Sequence, residues 1–221
     1  YVGGLIGYAN NTTITNCYSR ATINATGNYV GGLIGYANSV TFSSTGLSAS
    51  IITSATSGND YVGGFAGYIN GGTYTFHTST SYSSNTGNVS GNNYVGGVAG
   101  YMTSSTATVT RGRNTGNISG SNYIGGNFGR LAGGTASSLV NTGTVSGSYA
   151  GGNIGYFTGG TSLTPDNSGT VNGGSYAGGN IGYFTGGTTS ACNNSGAVNG
   201  ASQVGGNIGE LRAATISGAL G

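Results

Sequence analysis

Apolar residues along this chain arrive in short bursts framed by glycine, and the bursts repeat. The first, Tyr1-Val2-Gly3-Gly4-Leu5-Ile6-Gly7-Tyr8, returns from Tyr29, Tyr61, Tyr94, Tyr123, Tyr149, Tyr176 and Gln203, with steps of 28, 32, 33, 29, 26, 27 and 27 residues. A period in this range, held along the whole sequence, predicts a solenoid in which each repeat contacts only its neighbours.

Aligned as eight columns, the copies separate into core, glycine and surface positions. Column two carries Val2, Val30, Val62 and Val95 and then Ile or Ala; column six carries Ile6, Ile34, Ile154, Ile181 and Ile208 with Ala or Phe between them. The two columns share a parity, so a single extended strand would turn both toward the core. Columns three, four and seven are glycine in every copy. Column five changes from Leu5, Leu33, Phe65 and Val98 to Asn127, Asn153, Asn180 and Asn207. Four consecutive asparagines imply either a position outside the core or an amide ladder.

Two further stretches complete each repeat. A short Val or Ile strand, such as Asn88-Val89-Ser90 or Thr144-Val145-Ser146, follows turn signals at Asn85, Asn114, Asn141, Asn167 and Asn194. A more variable stretch, such as Thr73–Thr78, follows the octapeptide. Recurrent β-branched residues and glycine turns argue against helix. The expectation is an all-β fold, a parallel β-solenoid of about eight coils of 26–33 residues, with three strands and three corners per coil, over residues 1–221 as one repeat domain. The chain starts inside a repeat, and Ser217–Gly221 offers no polar cap, so it reads as a segment of a longer protein.

Composition fits stacked coils. Charged residues make up 4% of the chain, with five Arg, no Lys and three acids. Coils about 4.8 Å apart place identical residues over one another, and like charges at that distance repel by roughly 0.9 kcal/mol even in water. Tyrosine gains from the same register: Tyr1, Tyr29, Tyr61, Tyr94, Tyr123, Tyr149 and Tyr176 form column one, and aromatic pairs add about 0.5–1.5 kcal/mol beyond burial. Five scattered arginines do not make a nucleic-acid surface. No apolar run reaches the roughly 18–20 residues that a membrane helix needs.

Chemistry-bearing residues are few. His77 stands apart from other ligand-type residues, and Asp60, Asp166 and Glu210 fall in different repeats, so no catalytic, metal or cofactor site is expected. Cys17 and Cys192 align in one column but about six coils apart, roughly 29 Å at 4.8 Å per coil, beyond the reach of a disulfide. An ice-binding surface would require regular Thr-x-Thr columns, and these are missing, since stretches such as Thr73-Tyr74-Thr75 do not repeat in register.

The string GGLIGY, followed in the first repeat by Asn16-Cys17-Tyr18-Ser19 and a glycine-bounded strand, resembles the GLUG-motif repeats. The resemblance runs through all eight repeats and is clearest in the first four. It implies a non-catalytic region of a large bacterial surface or secreted protein, such as an adhesin-like chain or the accessory part of an IgA-cleaving metallopeptidase. The expected function is therefore a structural, adhesive scaffold outside the cell that partners with itself, end to end or laterally. Lateral packing would use a strip nearly free of side chains: Gly7, Gly35, Gly67, Gly100, Gly129, Gly155, Gly182 and Gly209 with Asn127, Asn153, Asn180 and Asn207. The alternative is a monomeric stalk that binds glycans or cell surfaces through its tyrosine ladder.

Overall fold

The computed structural model describes residues 1–44, 51–52, 55–77 and 83–218. Thr78, in the third stretch of its repeat, and residues 219–221 lie outside them. The described residues are all β, with every paired strand parallel, in sheets of 13, 14 and 4 strands. Paired residues meet the equivalent residue of the next coil, as in Val30↔Val62, Tyr36↔Tyr68 and Val145↔Val171. This is a parallel β-solenoid of about eight turns.

A coil contains more corners than the three expected. The fifth runs through Ile118–Ser119, Asn122–Gly125, Phe128–Leu131, Thr135–Ser137 and Val140–Asn141. The first two strands join the 13-stranded sheet, the next two the 14-stranded sheet and the last the 4-stranded sheet. The octapeptide is thus two strands, not one, bent at columns four and five, as at Gly126-Asn127. Column two falls before the bend and column six after it, and they enter different cores. Val30, Val62, Val95 and Ile124 pack with Val89, Ile118, Val145 and Val171 in a small core. Ile34, Phe128, Ile154 and Ile181 belong to a larger one with Phe42, Phe65, Tyr74, Phe157 and Phe184. Val2 is 38% exposed and Ile6 and Ile208 are half-buried, because their terminal coils are covered on one side only.

Glycine sits between the two cores, where the bent octapeptide folds back on itself. A Cβ on Gly35 would lie 2.5 Å from the Gly7 oxygen, 2.7 Å from the Val2 nitrogen and 3.0 Å from the Tyr29 oxygen. A Cβ on Gly31 would lie 2.8 Å from the Gly67 nitrogen of the facing sheet. Backbone meets backbone here, and no side chain fits. The expected outer strip is therefore an inner seam. Gly35, Gly67, Gly100, Gly129, Gly155 and Gly182 are buried, and only Gly7 and Gly209 of the terminal coils are half-buried.

Column five is corrected in the same way. Column five lies in the bend itself, between the two strands, and this corner faces the larger core: Leu33, Phe65 and Val98 are fully buried, as are Asn127, Asn153 and Asn180. Asn207 is half-buried in the last coil, and Leu5 is 49% exposed in the first. These asparagines offer nothing to a lateral neighbour.

Candidate functional site

Two amide ladders occupy the interior. In column five, Asn127 Nδ2 donates to Asn153 Oδ1 at 2.6 Å, Asn153 to Asn180 at 2.6 Å and Asn180 to Asn207 at 2.7 Å. Each also donates across the coil, to the carbonyls of Val140, Asp166 and Asn193. The turn asparagines form the second ladder, Asn85 to Asn114, Asn141, Asn167 and Asn194, every step 2.8 Å. Each of its first four members also donates to the glycine carbonyl two residues on, at 2.7–2.8 Å. This second ladder explains glycine in column four: a Cβ on Gly64 would lie 2.6 Å from Asn85 Cγ. The Asn-Thr-Gly signature marks a turn in the sequence, and the structure adds that its asparagine is buried.

The ladders begin abruptly. Asn127 is preceded in its column by Val98 and Asn85 by Ile52, and the Oδ1 atoms of both leading asparagines are buried without a hydrogen bond. A buried acceptor left this way costs about 1–3 kcal/mol. Surface amide columns run beside the internal ones, through Asn10, Asn38 and Asn70 and through Asp60, Asn93 and Asn122. Asp60 and Asp166 are thus acceptors inside amide columns, Asp166 Oδ1 taking the Asn193 amide at 2.8 Å.

Tyrosines line one edge in two adjacent columns. In column one, Tyr29, Tyr61, Tyr94 and Tyr123 stack nearly parallel, with ring centroids 4.9, 5.2 and 5.1 Å apart and planes within 8°. Tyr1, Tyr149 and Tyr176 continue the column with tilted rings. Column eight runs alongside, with Tyr36 and Tyr68 4.7 Å apart and Tyr156 and Tyr183 5.1 Å apart. Arg130 replaces a tyrosine in this column and preserves the stack: its Cζ lies 4.8 Å from the Tyr101 ring and 5.2 Å from that of Tyr156. Glu210 replaces another and pairs with Arg212, which lies over Tyr183. Desolvation within the double stack, then the neighbouring phenols, push the Tyr36, Tyr61 and Tyr123 hydroxyls above their ordinary pKa.

The outer face of the 14-stranded sheet holds a feature that the residue spacing conceals. Pairing places Thr13, Thr41, Thr73, Thr108, Thr135, Thr161, Thr188 and Thr215 over one another in an unbroken column. Two residues on, Thr15, Ser43, Thr75, Thr110, Ser137, Leu163, Ser190 and Ser217 form a second column. The residue between points inward, as with Ile14, Phe42, Tyr74 and Val109. Full Thr-x-Thr pairs stand only in the first, third and fourth coils, so regular Thr-x-Thr columns are absent, as the sequence indicated; what recurs is one threonine column beside a mixed Ser/Thr column interrupted by Leu163. The signal was in the sequence: the column threonine lies five residues after column eight in every coil but the fourth, where the offset is seven. The two extra residues between Tyr101 and Thr108 break the visual register.

Among the described residues no three of His, Cys, Asp and Glu come together, and no helix is long and apolar enough to cross a membrane. Cys17 and Cys192 are free thiols in the first and seventh coils; Cys192 is buried, which pushes its thiol pKa up, and it contacts the Thr189 hydroxyl at 3.2 Å.

A family model, the GLUG motif, matches residues 1–24. No curated protein and no solved structure matches the chain.

Proposed function

We propose that this GLUG-bearing solenoid is a structural element of an extracellular fibre or cell-surface protein, extended by stacking coil on coil, with an adhesive role. The observation that carries the reading is the continuity of its columns. Val2 and Val204 share one column, Ile6 and Ile208 another and Tyr8 and Glu210 a third, through unbroken register. A further coil, from the same chain or from a second copy, would therefore meet matching backbone and side chains. Val2, Leu5, Val204 and Leu211 are 38–49% exposed in the terminal coils and would be covered by that addition. Charge is nearly absent from the columns, so stacking meets little electrostatic resistance. No catalytic step, cofactor, nucleic acid or membrane insertion belongs to this role. Assembly runs end to end, because the glycine seam that would have served lateral packing is internal.

Glycan binding on the tyrosine ladder is the weaker reading. Rings 4.7–5.2 Å apart in near-parallel stacks cover one another's faces and present edges to solvent, whereas a sugar platform needs an open face.

Electron microscopy of the purified chain tests the proposal. Filaments with an axial subunit repeat near 38 Å, eight coils of about 4.8 Å, are the expected result. Discrete short rods at every concentration and ionic strength would refute self-assembly.

A further inference from the structure

The threonine face is not used by the scaffold, and its order exceeds what solubility demands. Eight consecutive coils keep threonine in one outward column, and hydroxyls fill seven of eight ranks of the next. Threonine is stiff at χ1, and its neighbours above and below are threonines on the same backbone. Methyl and hydroxyl therefore repeat together at every rung of the first column, and hydroxyls alone at most rungs of the second. The spacings are about 4.8 Å along the axis and about 6.7 Å between the columns, two residues of strand. Eight ranks span roughly 34 Å.

The chain does not consume this array. Backbone donors and acceptors are committed to the parallel ladders. Among the described residues, none of the eight column threonines makes a side-chain hydrogen bond within the chain, whereas the asparagine columns pair among themselves at 2.6–3.0 Å. Their hydroxyls are left for whatever lies outside. Neither column holds a charged residue, and Leu163 is the single apolar member.

A regular, uncharged array of donors, acceptors and methyls on two repeats recognises a ligand with the same properties. A flexible soluble molecule cannot occupy many ranks at once, and an anionic surface finds no cation here. Crystalline water does fit: its faces are rigid and neutral, they expose both donors and acceptors, and their oxygens repeat on the same scale. We propose that the outer face of the 14-stranded sheet binds ice. The hydroxyls take lattice hydrogen bonds, and the intervening methyls hold water in ordered cages between them. Many weak contacts made together give the avidity that one threonine lacks.

The test is ice-affinity partition of the whole chain, with crystal habit observed during slow growth. The unmodified protein is expected in the ice fraction, with faceted crystals and a freezing point held below the melting point. Thr135→Lys combined with Thr161→Lys places two charges in the middle ranks and should return the chain to the liquid several-fold; Asn172→Lys, on the 13-stranded sheet, should not. Should the lysine pair lose its β-sheet circular dichroism, the shape-conserving pair Thr135→Val and Thr161→Val decides in the same way. A folded unmodified chain excluded from ice like a bystander protein overturns the proposal. So does ice binding unchanged in the folded threonine variants, or preferential adsorption to crystalline chitin or cellulose over ice. Failure of filament assembly leaves this test intact, because the face is complete within one chain.

Discussion

Replacing Asn153 with leucine tests the internal ladder, provided the effect is measured as a coupling. Alone, Asn153→Leu removes the 2.6 Å bonds to Asn127 and Asn180 and the 2.9 Å bond to the Asp166 carbonyl. It strands Asn180 Oδ1 and one N–H of Asn127 in the core, at about 1–3 kcal/mol each. Against this, a leucine gains about 1.5–3 kcal/mol on burial, and Leu33, Phe65 and Val98 show that the column accepts apolar side chains. The net effect of the single change is thus small and uninformative. Asn180→Leu similarly strands Asn207 Oδ1 and one N–H of Asn153. The double variant strands only the Asn127 N–H and Asn207 Oδ1, two groups where the singles together strand four. The leucine gain appears equally in the singles and the double and cancels in the cycle. The double variant should therefore be more stable than the summed singles predict, by about 2 kcal/mol or more, two stranded groups at the lower end of their cost. Guanidinium denaturation of the four proteins, followed by far-ultraviolet circular dichroism, measures the coupling. Additivity within about 0.5 kcal/mol would show that the amides do not act as a ladder.

Three more outcomes are expected from the geometry. Gly35→Ala should destabilise the chain by about 1–3 kcal/mol, the cost of overpacking, because its Cβ meets only backbone; Gly27→Ala, with nothing within 4 Å, should change the denaturation midpoint little, within about 0.5 kcal/mol. Stability should be fully present below the ordinary tyrosine pKa of 10.0 and fall as pH rises above it, because Tyr36, Tyr61, Tyr101 and Tyr123 have raised values when folded and the unfolded chain loses its protons first. Denaturation midpoints taken on either side of that pH should show the decline, and Tyr61→Phe should reduce its slope. Tyr74→Phe should cost about 1 kcal/mol in a thermal or chemical melt, since the buried Tyr74 hydroxyl donates to the Gly71 carbonyl at 3.1 Å.

Much of the architecture was legible from periodicity. Eight octapeptides at near-constant steps can be satisfied by stacked parallel coils and by little else, because identical residues must meet identical residues. Tyr29, Tyr61 and Tyr94 could be placed over one another from their spacing alone, and the scarcity of charge is a consequence of the same register. The inward faces of Val30 and Ile34 were also predictable, because apolar columns are buried whatever the path of the chain.

The sequence by itself therefore determined the repeat, its axis and which residues share a column. The tertiary structure decided which way each column faces. The bend at Gly32-Leu33 and its counterparts in the other coils separates two strands; it sends Val30 and Ile34 into separate cores, places Leu33 and its counterpart Asn127 at a buried corner and makes Gly35 part of a backbone seam. No composition or spacing encodes that bend, because glycine pairs serve equally as strand, turn or close contact. The threonine face lies between the two cases. Its offset of five residues was present in the chain, but a two-residue insertion after Tyr101 hid it, and only ladder pairing, which aligns backbone hydrogen bonds instead of residue counts, restored the column.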